Sequence, residues 1–233
     1  MQGYVMAQSE NANARYKDTV FRLLFSDKEN LASLYNALNP NIPCANADDI
    51  VVVTLQNAIY MELKNDVAFM IGTDIHLWEH QSTQNPNMPL RFLQYISAEY
   101  QRLIDTGRKS LYSESLIELP SANFVVFYNG ADNMPDHSTL KLSDAFKNKG
   151  KEAKLELVAD VFNINSGHNQ RILNECKTLG GYAQLVRHTR ENPHSQANAY
   201  EFDTLLMQTI KLAPIFHIIT AFDTTCASGE QGC

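Results

Sequence analysis

The 233-residue sequence predicts an α/β fold, in which helices flank both faces of a mixed β-sheet. In residues 66–71 and 75–78, apolar side chains alternate with their neighbours on either side of Gly72-Thr73-Asp74, which is typical of two strands joined by a turn. Phe124–Tyr128 is a continuous apolar run closed by Asn129-Gly130, as expected of a buried central strand. Stretches with helical spacing precede and follow these strands, so both faces of the sheet are expected to carry helices.

The N-terminal part of the chain predicts a tail, a helical region and a first strand. Residues 1–15 are polar and rich in Asn and Ala, which favours a flexible tail. From Tyr16 to Leu38 the apolar residues fall at helical spacing, and Asn39-Pro40 ends this pattern, so we expect one helix or a pair of helices. Asp48–Leu55 is rich in β-branched residues and predicts the first strand of the sheet.

A longer helix is predicted to follow the paired strands. Pro89 suits the first turn of a helix. The side chains expected to form its buried stripe are Leu90, Leu93, Ile96, Tyr100 and Leu103. This arrangement would place the start of the helix, with Arg91 and Gln94, close to the end of the strand at Glu79.

The C-terminal half of the predicted domain, which spans 16–191, continues with a strand and two helices. Leu155–Asn165 predicts the strand. Asn169–Cys176 and Tyr182–Arg190 predict the helices, with the break at Gly180-Gly181. Residues 192–233 differ in character, and we interpret them as an atypical C-terminal tail that is truncated or frameshifted.

The charge of the chain is acidic. The formal net charge is −7 and the pI is near 5.5, whereas proteins that hold duplex DNA usually present a basic face. One local stretch is basic and contains Lys141, Lys147, Lys149, Lys151 and Lys154. It is either an arm that contacts phosphates, through Lys147, Lys149 and Lys151, or a solvated loop.

The cysteines and the hydropathy pattern indicate the compartment. The cysteines at 44, 176, 226 and 233 show no C-x-x-C spacing, so reduced thiols are expected rather than a zinc site. The sequence has no apolar run of membrane-spanning length and no signal pattern at its N-terminus. We therefore expect a cytoplasmic protein without a membrane partner.

Oxygen ligands are expected to converge at the end of the paired strands. Folding the hairpin would bring Asp66 to within about one residue of Glu79 across the two strands, and Glu79 and Gln81 are two residues apart, so they share one face of a strand. Carboxylate and amide oxygens are suited to a hard divalent cation. Arg91 at the nearby helix start could clamp a phosphate or pair with an acid.

Six motifs along the chain, taken in their order, support a family resemblance. They are K-D-T-V-F-R-L-L-F at 17–25, K-N-D-V-A-F at 64–69, E-H-Q-S-T-Q-N-P-N-M-P-L-R at 79–91, F-V-V-F-Y-N-G at 124–130, L-K-L-S-D-A-F at 140–146 and N-I-N-S-G-H-N at 163–169. In this order they resemble the bacterial recombination-promoting nuclease and transposase (Rpn) family, within the PD-(D/E)XK nuclease superfamily. The resemblance covers about 16–190.

The resemblance implies a restriction-endonuclease-like fold and a DNA endonuclease that depends on Mg²⁺ or Mn²⁺ and is associated with transposition or recombination. It assigns the metal to Asp66, Glu79 and the backbone carbonyl of His80, and the attacking water to Gln81. Asp18 has an auxiliary catalytic role in this interpretation; alternatively it only favours the N-terminus of its helix. DNA is the expected partner, and a homodimer is left open.

Two departures from the family pattern leave an alternative open. Asn65 replaces the Pro of the signature, and Gln81 replaces its Lys, which a Gln cannot imitate in charge or in proton transfer. The alternative is a catalytically silent, transposase-derived remnant or DNA-binding module. A third interpretation is a zinc peptidase, because H-x-x-E-H occurs at 76–80. That chemistry requires a helix, whereas this segment alternates like a strand.

Overall fold

The computed structural model describes residues 19–53, 67–148 and 152–191. Residues 19–24 are helical. The strands are β1 Ile50–Val52, β2 Val67–Ile71, β3 Asp74–Gln81, β4 Ser121–Tyr128, β5 His137–Lys141 and β6 Val158–Asn163. The further helices are α1 Lys28–Leu38, α2 Met88–Thr106, α3 Gln170–Glu175 and α4 Lys177–Glu191.

Within these ranges the strands form one six-stranded sheet in the order β1-β2-β3-β4-β6-β5. The β1–β2, β2–β3 and β5–β6 pairs are antiparallel, while β3–β4 and β4–β6 are parallel. The long connection from β3 to β4 contains α2, as a parallel pair requires. The predicted α/β fold with a mixed sheet is confirmed, and it is consistent with a restriction-endonuclease-like architecture.

Two apolar layers cover the two faces of the sheet. The first layer joins the helical residues 19–24, α1, α3 and α4 to one face, around Phe21, Trp78 and Phe127. The second joins α2 to the opposite face, around Phe92 and Val126. Because both faces of β3 are covered, every side chain from Ile75 to His80 is buried, and a polar group on this strand is removed from water whichever way it points.

The predicted N-terminal helices are present, whereas the predicted first strand differs in its bounds. A helix pair is present, and Asp27 caps α1 by accepting a hydrogen bond from the backbone N–H of Asn30 at 3.0 Å. The predicted strand Asp48–Leu55 begins too early, because Asp48 and Asp49 lie in a 3₁₀ turn, Ala47–Asp49. Carboxylates are favoured at the start of such a turn, where the backbone N–H groups are unpaired. The strand itself is β1, and residues 54–66 lie outside the described part of the chain.

The predicted hairpin of β2 and β3 is present, but its loop is shorter than predicted, because Asp74 belongs to β3 and not to the turn. Gly72 and Thr73 form the loop, Ile71 pairs with Asp74, and Val67 pairs with Trp78. Gly72 has a φ of +57°, which glycine adopts without steric cost at a two-residue hairpin loop.

The buried stripe predicted for α2 is only partly right. Pro89 lies in the first turn, and the fully buried side chains are Met88, Pro89, Phe92, Tyr95, Ile96, Glu99 and Ile104. Of the predicted stripe Ile96 is buried, Leu93, Tyr100 and Leu103 are half-buried, and Leu90 is 45% exposed. The aromatic residues Phe92 and Tyr95 turn the helix towards the sheet, because they bury more apolar area than a leucine does.

The helix break predicted at Gly180-Gly181 is also wrong. α3 ends at Glu175, α4 begins at Lys177, and both glycines lie inside α4. A Cβ added at Gly180 would lie 2.5 Å from the backbone oxygen of Leu173. The glycine therefore permits close packing of α4 on α3 and does not end a helix.

The strands β5 and β6, which lie beyond β4 in the sheet, were predicted unequally. The predicted strand Leu155–Asn165 is confirmed in its central part as β6. The edge strand β5, with the sequence H-S-T-L-K, carries a single apolar residue and was not predicted.

Candidate active site

The side chains of β3 divide between the two faces of the sheet, and Glu79 and Gln81 lie on the face covered by α2. Glu79 is 1% exposed. Its Oε2 accepts a hydrogen bond from Nη2 of Arg91 at 3.1 Å. The predicted proximity of the helix start to the strand end is therefore observed. The guanidinium offsets the cost of removing the Glu79 carboxylate from water.

Arg91 is held by further contacts on its own helix. Its Nη2 also donates to the hydroxyl of Tyr95 at 2.9 Å, and its Nη1 lies 3.3 Å from the sulfur of Met88. The side chain of Arg91 is nevertheless 32% exposed. One edge of the guanidinium is therefore fixed against Glu79 while part of the group faces solvent.

Gln81 completes this group at the last residue of β3. Its Nε2 lies 3.5 Å from Oε2 of Glu79, which is at the outer limit of a hydrogen bond. Its backbone oxygen accepts from the backbone N–H of Asn129, the residue after β4, at 2.9 Å. The strand end is therefore fixed, while the Gln81 amide is only half-buried.

The residues on the other face of β3 belong to the core. The ring of His80 lies 5.6 Å from Phe21 and 5.3 Å from Tyr182 between ring centroids. The ring of His76 stacks on Phe69 at 5.0 Å. Because both imidazoles lie opposite Glu79, the H-x-x-E-H segment cannot act as a helical zinc-peptidase motif. For the same reason, His80 could contribute only its backbone carbonyl to a metal beside Glu79.

Several predicted site residues lie outside the described part of the chain. These are Asp18, Asp66, Lys149 and Lys151. No group of three or more His, Cys, Asp or Glu side chains suited to a metal ion occurs within 19–53, 67–148 and 152–191. The described part therefore contains Glu79, Gln81 and His80 of the predicted set, and the contributions of Asp66 and Asp18 stay predictions.

The predicted substrate-binding residues separate into two groups. Arg91 lies in the Glu79 group. Gln94, on the same helix, and Lys147, after β5, are exposed. Lys154 forms an ion pair with Glu152 at 2.6 Å, so its charge is offset at the protein surface.

A cavity of about 170 Å³ adjoins the Glu79 group at the carboxyl ends of β3 and β4. Its apolar wall includes Met88, Val126, Tyr128, Met134, Leu140 and Val161. Its polar rim includes Gln81, Thr83, Gln84 and Asn85. Gln81 is therefore shared by the Glu79 group and the cavity.

Two members of this site, Tyr95 and Met88, were not predicted from the sequence. Arg91 and Tyr95 are four residues apart on α2, and Met88 precedes Arg91 by three, so the three share a helix face. That spacing was a usable signal once Arg91 had been selected. It was missed because Tyr95 was not assigned to the buried stripe.

The comparisons with known proteins give one match. A model of the family described as "Putative transposase, YhgA-like" matches residues 16–211. No curated protein and no solved structure matches the chain. Within the described residues, none of the helices combines the length and the apolar character needed to cross a membrane.

Proposed function

The chain belongs to the YhgA-like putative transposase family, whose model covers most of its length, and from this premise we propose that it is a metal-dependent DNA endonuclease. The reaction is hydrolysis of a phosphodiester bond, carried out in transposition or recombination. The substrate is DNA, and the metal is Mg²⁺ or Mn²⁺.

The observation that carries this proposal is the buried Glu79 carboxylate at the end of a central strand. Burial of an unpaired carboxylate is costly, and a paired carboxylate is seldom worth more to stability than an apolar residue of the same size. Glu79 is 1% exposed and is paired with Arg91, which is itself partly open to solvent. Glu99 is buried and paired to the same degree, so what distinguishes Glu79 is its position beside the Gln81 amide at the end of β3.

The donor atoms beside Glu79 suit a hard divalent cation. Glu79 offers carboxylate oxygens, Gln81 an amide oxygen, and His80 a backbone carbonyl. These are the ligand types that Mg²⁺ and Mn²⁺ prefer, with water in the remaining positions. Asp66 lies outside the described residues, and its carboxylate stays a predicted further ligand. A bound cation would polarise the phosphate and lower the pKa of a water molecule.

The protein's own side chains position the substrate. Gln81 can hold the attacking water by a hydrogen bond but cannot accept its proton. Arg91 can donate to a phosphate oxygen from the part of its guanidinium that faces solvent, while Tyr95 and Met88 hold the rest of the group. The arrangement therefore supplies orientation and charge, as phosphoryl transfer requires.

The test is nicking of supercoiled plasmid with Mg²⁺ or Mn²⁺, comparing the protein with two glutamate variants. Glu79→Gln keeps the size of the side chain and removes its charge, so we expect a loss of at least about 100-fold, since even partners of metal ligands cost about 10–100-fold. Glu99→Gln is the matched control, because Glu99 is also 1% exposed, lies on α2 and pairs with Arg102. It should retain cleavage.

Two readouts separate the outcomes. Mn²⁺ binding by calorimetry should weaken in Glu79→Gln and stay unchanged in Glu99→Gln. If the folded protein cleaves no plasmid with either metal, the endonuclease proposal is wrong and the silent DNA-binding module takes its place. If both variants lose cleavage equally while remaining folded, Glu79 has no special role.

A further inference from the structure

The cavity beside Gln81 is neutral in all the described residues that line it. Its wall is formed by apolar side chains and by the ring of Tyr128, and its rim carries amides and a hydroxyl. A phosphate or another ionised group would enter such a site without a compensating charge, which is unfavourable. An uncharged ring with polar atoms along one edge matches the lining.

The size of the cavity restricts its occupant further. Pockets that hold drug-sized ligands measure roughly 300–1,000 Å³, whereas this cavity measures about 170 Å³. It is therefore suited to a single planar ring system and not to a whole nucleotide. Met88 and Met134 lie in its wall, and thioethers adapt their shape and make favourable contacts with aromatic rings.

The wall and rim are held in place from both sides. The Tyr128 hydroxyl accepts a hydrogen bond from the backbone N–H of Asp132 at 3.0 Å, which fixes the ring. At the rim, Oδ1 of Asn85 accepts from the backbone N–H of Asn87 at 3.0 Å, so its NH₂ group remains as a donor. Gln84 is exposed and can offer both a donor and an acceptor.

We propose that this cavity binds one unstacked nucleobase of the DNA strand whose phosphate lies against Glu79 and Gln81. The inference rests on the proposed function, because it takes DNA as the substrate. Gln81 touches both the Glu79 group and the cavity, so a base and its neighbouring phosphate can occupy the two places together. The amides of Gln84 and Asn85 read the edge of the base, and Tyr128 and Met134 contact its faces.

A preference for unpaired DNA follows from this geometry. A base inside a duplex is stacked and paired, and it reaches the cavity only after leaving the stack, which costs free energy. In a single strand or at a mismatched site, less stacking and pairing free energy is lost when the base enters the cavity. The substrate class is therefore single-stranded, gapped or mismatched DNA.

The experiment is photochemical crosslinking with a single-stranded oligonucleotide that carries 5-iododeoxyuridine, performed with Ca²⁺, a hard cation that takes the same oxygen ligands, in place of Mg²⁺ and mapped by mass spectrometry. We expect crosslinks at Tyr128 or Met134, and at least about fivefold less of them with a fully paired duplex, in line with the loss of one stacked base. Tyr112, which is 99% exposed, serves as an internal control. Crosslinks confined to Tyr112 and other surface residues would overturn the inference.

Two matched variants exclude a general effect of substitution. Met134→Trp fills the cavity and should reduce crosslinking at Tyr128 at least fivefold. Leu116→Trp introduces the same side chain at a position that is 90% exposed, away from the cavity, and should leave the crosslinks unchanged. If filling the cavity with Trp in a folded protein leaves them unchanged as well, the cavity is not the site.

The outcomes distinguish this inference from the proposed function. Crosslinks in the cavity together with an absence of plasmid cleavage would support the base site and contradict the endonuclease. Cleavage that depends on Glu79 without crosslinks in the cavity would support the endonuclease and contradict the base site.

Discussion

His76 is a histidine held in an aromatic cluster without a hydrogen bond to its Nε2 from any described residue. It stacks on Phe69 at 5.0 Å, and the edge of Tyr35 lies 5.2 Å away between ring centroids. Burial lowers the pKa of His76 to about 4, and the nearby Asp74 carboxylate opposes this only in part. The imidazole is therefore neutral at pH 7.

This environment predicts a loss of stability in mild acid. The unfolded chain binds a proton at His76 below about pH 6.5, whereas the folded chain does so only near pH 4. The stability that comes from keeping His76 neutral is therefore fully present above pH 6.5 and is lost as the pH falls towards 4. The loss amounts to roughly 3 kcal/mol in the free energy of unfolding. Urea unfolding at pH 7 and pH 4.5 measures it.

His76→Leu should remove this part of the pH dependence. His137→Gln, at a side chain that is 47% exposed, should retain it. A free energy of unfolding for His76→Leu that falls with pH as steeply as that of the unchanged chain would contradict the assignment to His76.

The residue scale is also where the sequence and the structure agree best on the candidate site. Strand alternation alone placed Glu79 and Gln81 together, and the Pro89 helix start placed Arg91 beside them. Tyr95 and Met88 escaped prediction, because their part in the site depends on how α2 is rotated about its axis. That rotation is decided by packing against the sheet and not by the local pattern.

At the scale of elements, the contact between α3 and α4 depends on Gly180. A Cβ at this position would meet the Leu173 oxygen at 2.5 Å, and a backbone atom cannot move aside without moving α3. In an open helix Gly→Ala would stabilise by about 0.5–1 kcal/mol, but we expect Gly180→Ala to destabilise by about 1–3 kcal/mol, as overpacking does. Thermal or urea unfolding measures the sign of the change.

Gln184→Ala provides the control for that substitution. Gln184 is exposed on the same helix, and its replacement should change the free energy of unfolding by less than about 0.5 kcal/mol. If Gly180→Ala stabilises the protein, α3 and α4 are not in the close contact described, and helix packing does not explain the glycine at position 180.

The elements that were predicted incorrectly share a physical reason. Leu90 and Leu93 are apolar and gave a plausible helical stripe, but neighbouring positions on a helix differ by only about 100°, and the larger Phe92 and Tyr95 determine which side is buried. Gly180 was interpreted as a break because local patterns do not reveal a helix packed across it. The strand β5 lies at an edge and alternates between exposed and half-buried residues, so its apolar signal is weak.

At the scale of the whole molecule, the sequence predicted a mixed sheet with helices on both faces but not the order of its strands. β6 pairs with β4, and β5 is added outside it, so the last strand in the sequence is not the last in the sheet. Such an order depends on contacts between distant segments, for which the local pattern has no signal. It places the carboxyl ends of β3 and β4 beside the loop that contains Met134, and this creates the cavity.

The charge of the whole molecule predicts how its binding to DNA depends on salt. The net charge is −7. The lysines assigned to phosphate contact from the sequence are Lys147, Lys149 and Lys151, whereas the charge of Arg91 is paired with Glu79 and that of Lys154 with Glu152. With three phosphates neutralised on a single strand, the slope of log K against log salt should be about −2, since each contact contributes about −0.7.

Binding titrations of a fluorescent oligonucleotide between about 50 and 200 mM salt measure this slope. Lys147→Gln should make it shallower by about 0.7, whereas Lys154→Gln should leave it unchanged because its charge is already offset by Glu152 at 2.6 Å. A slope of about −6 or steeper would mean that the chain presents a broad basic face to DNA. In that case phosphate contacts would dominate binding, and the base cavity could add little to the affinity. A slope near −2 leaves room for the uncharged contacts of that cavity to discriminate between unpaired and paired DNA.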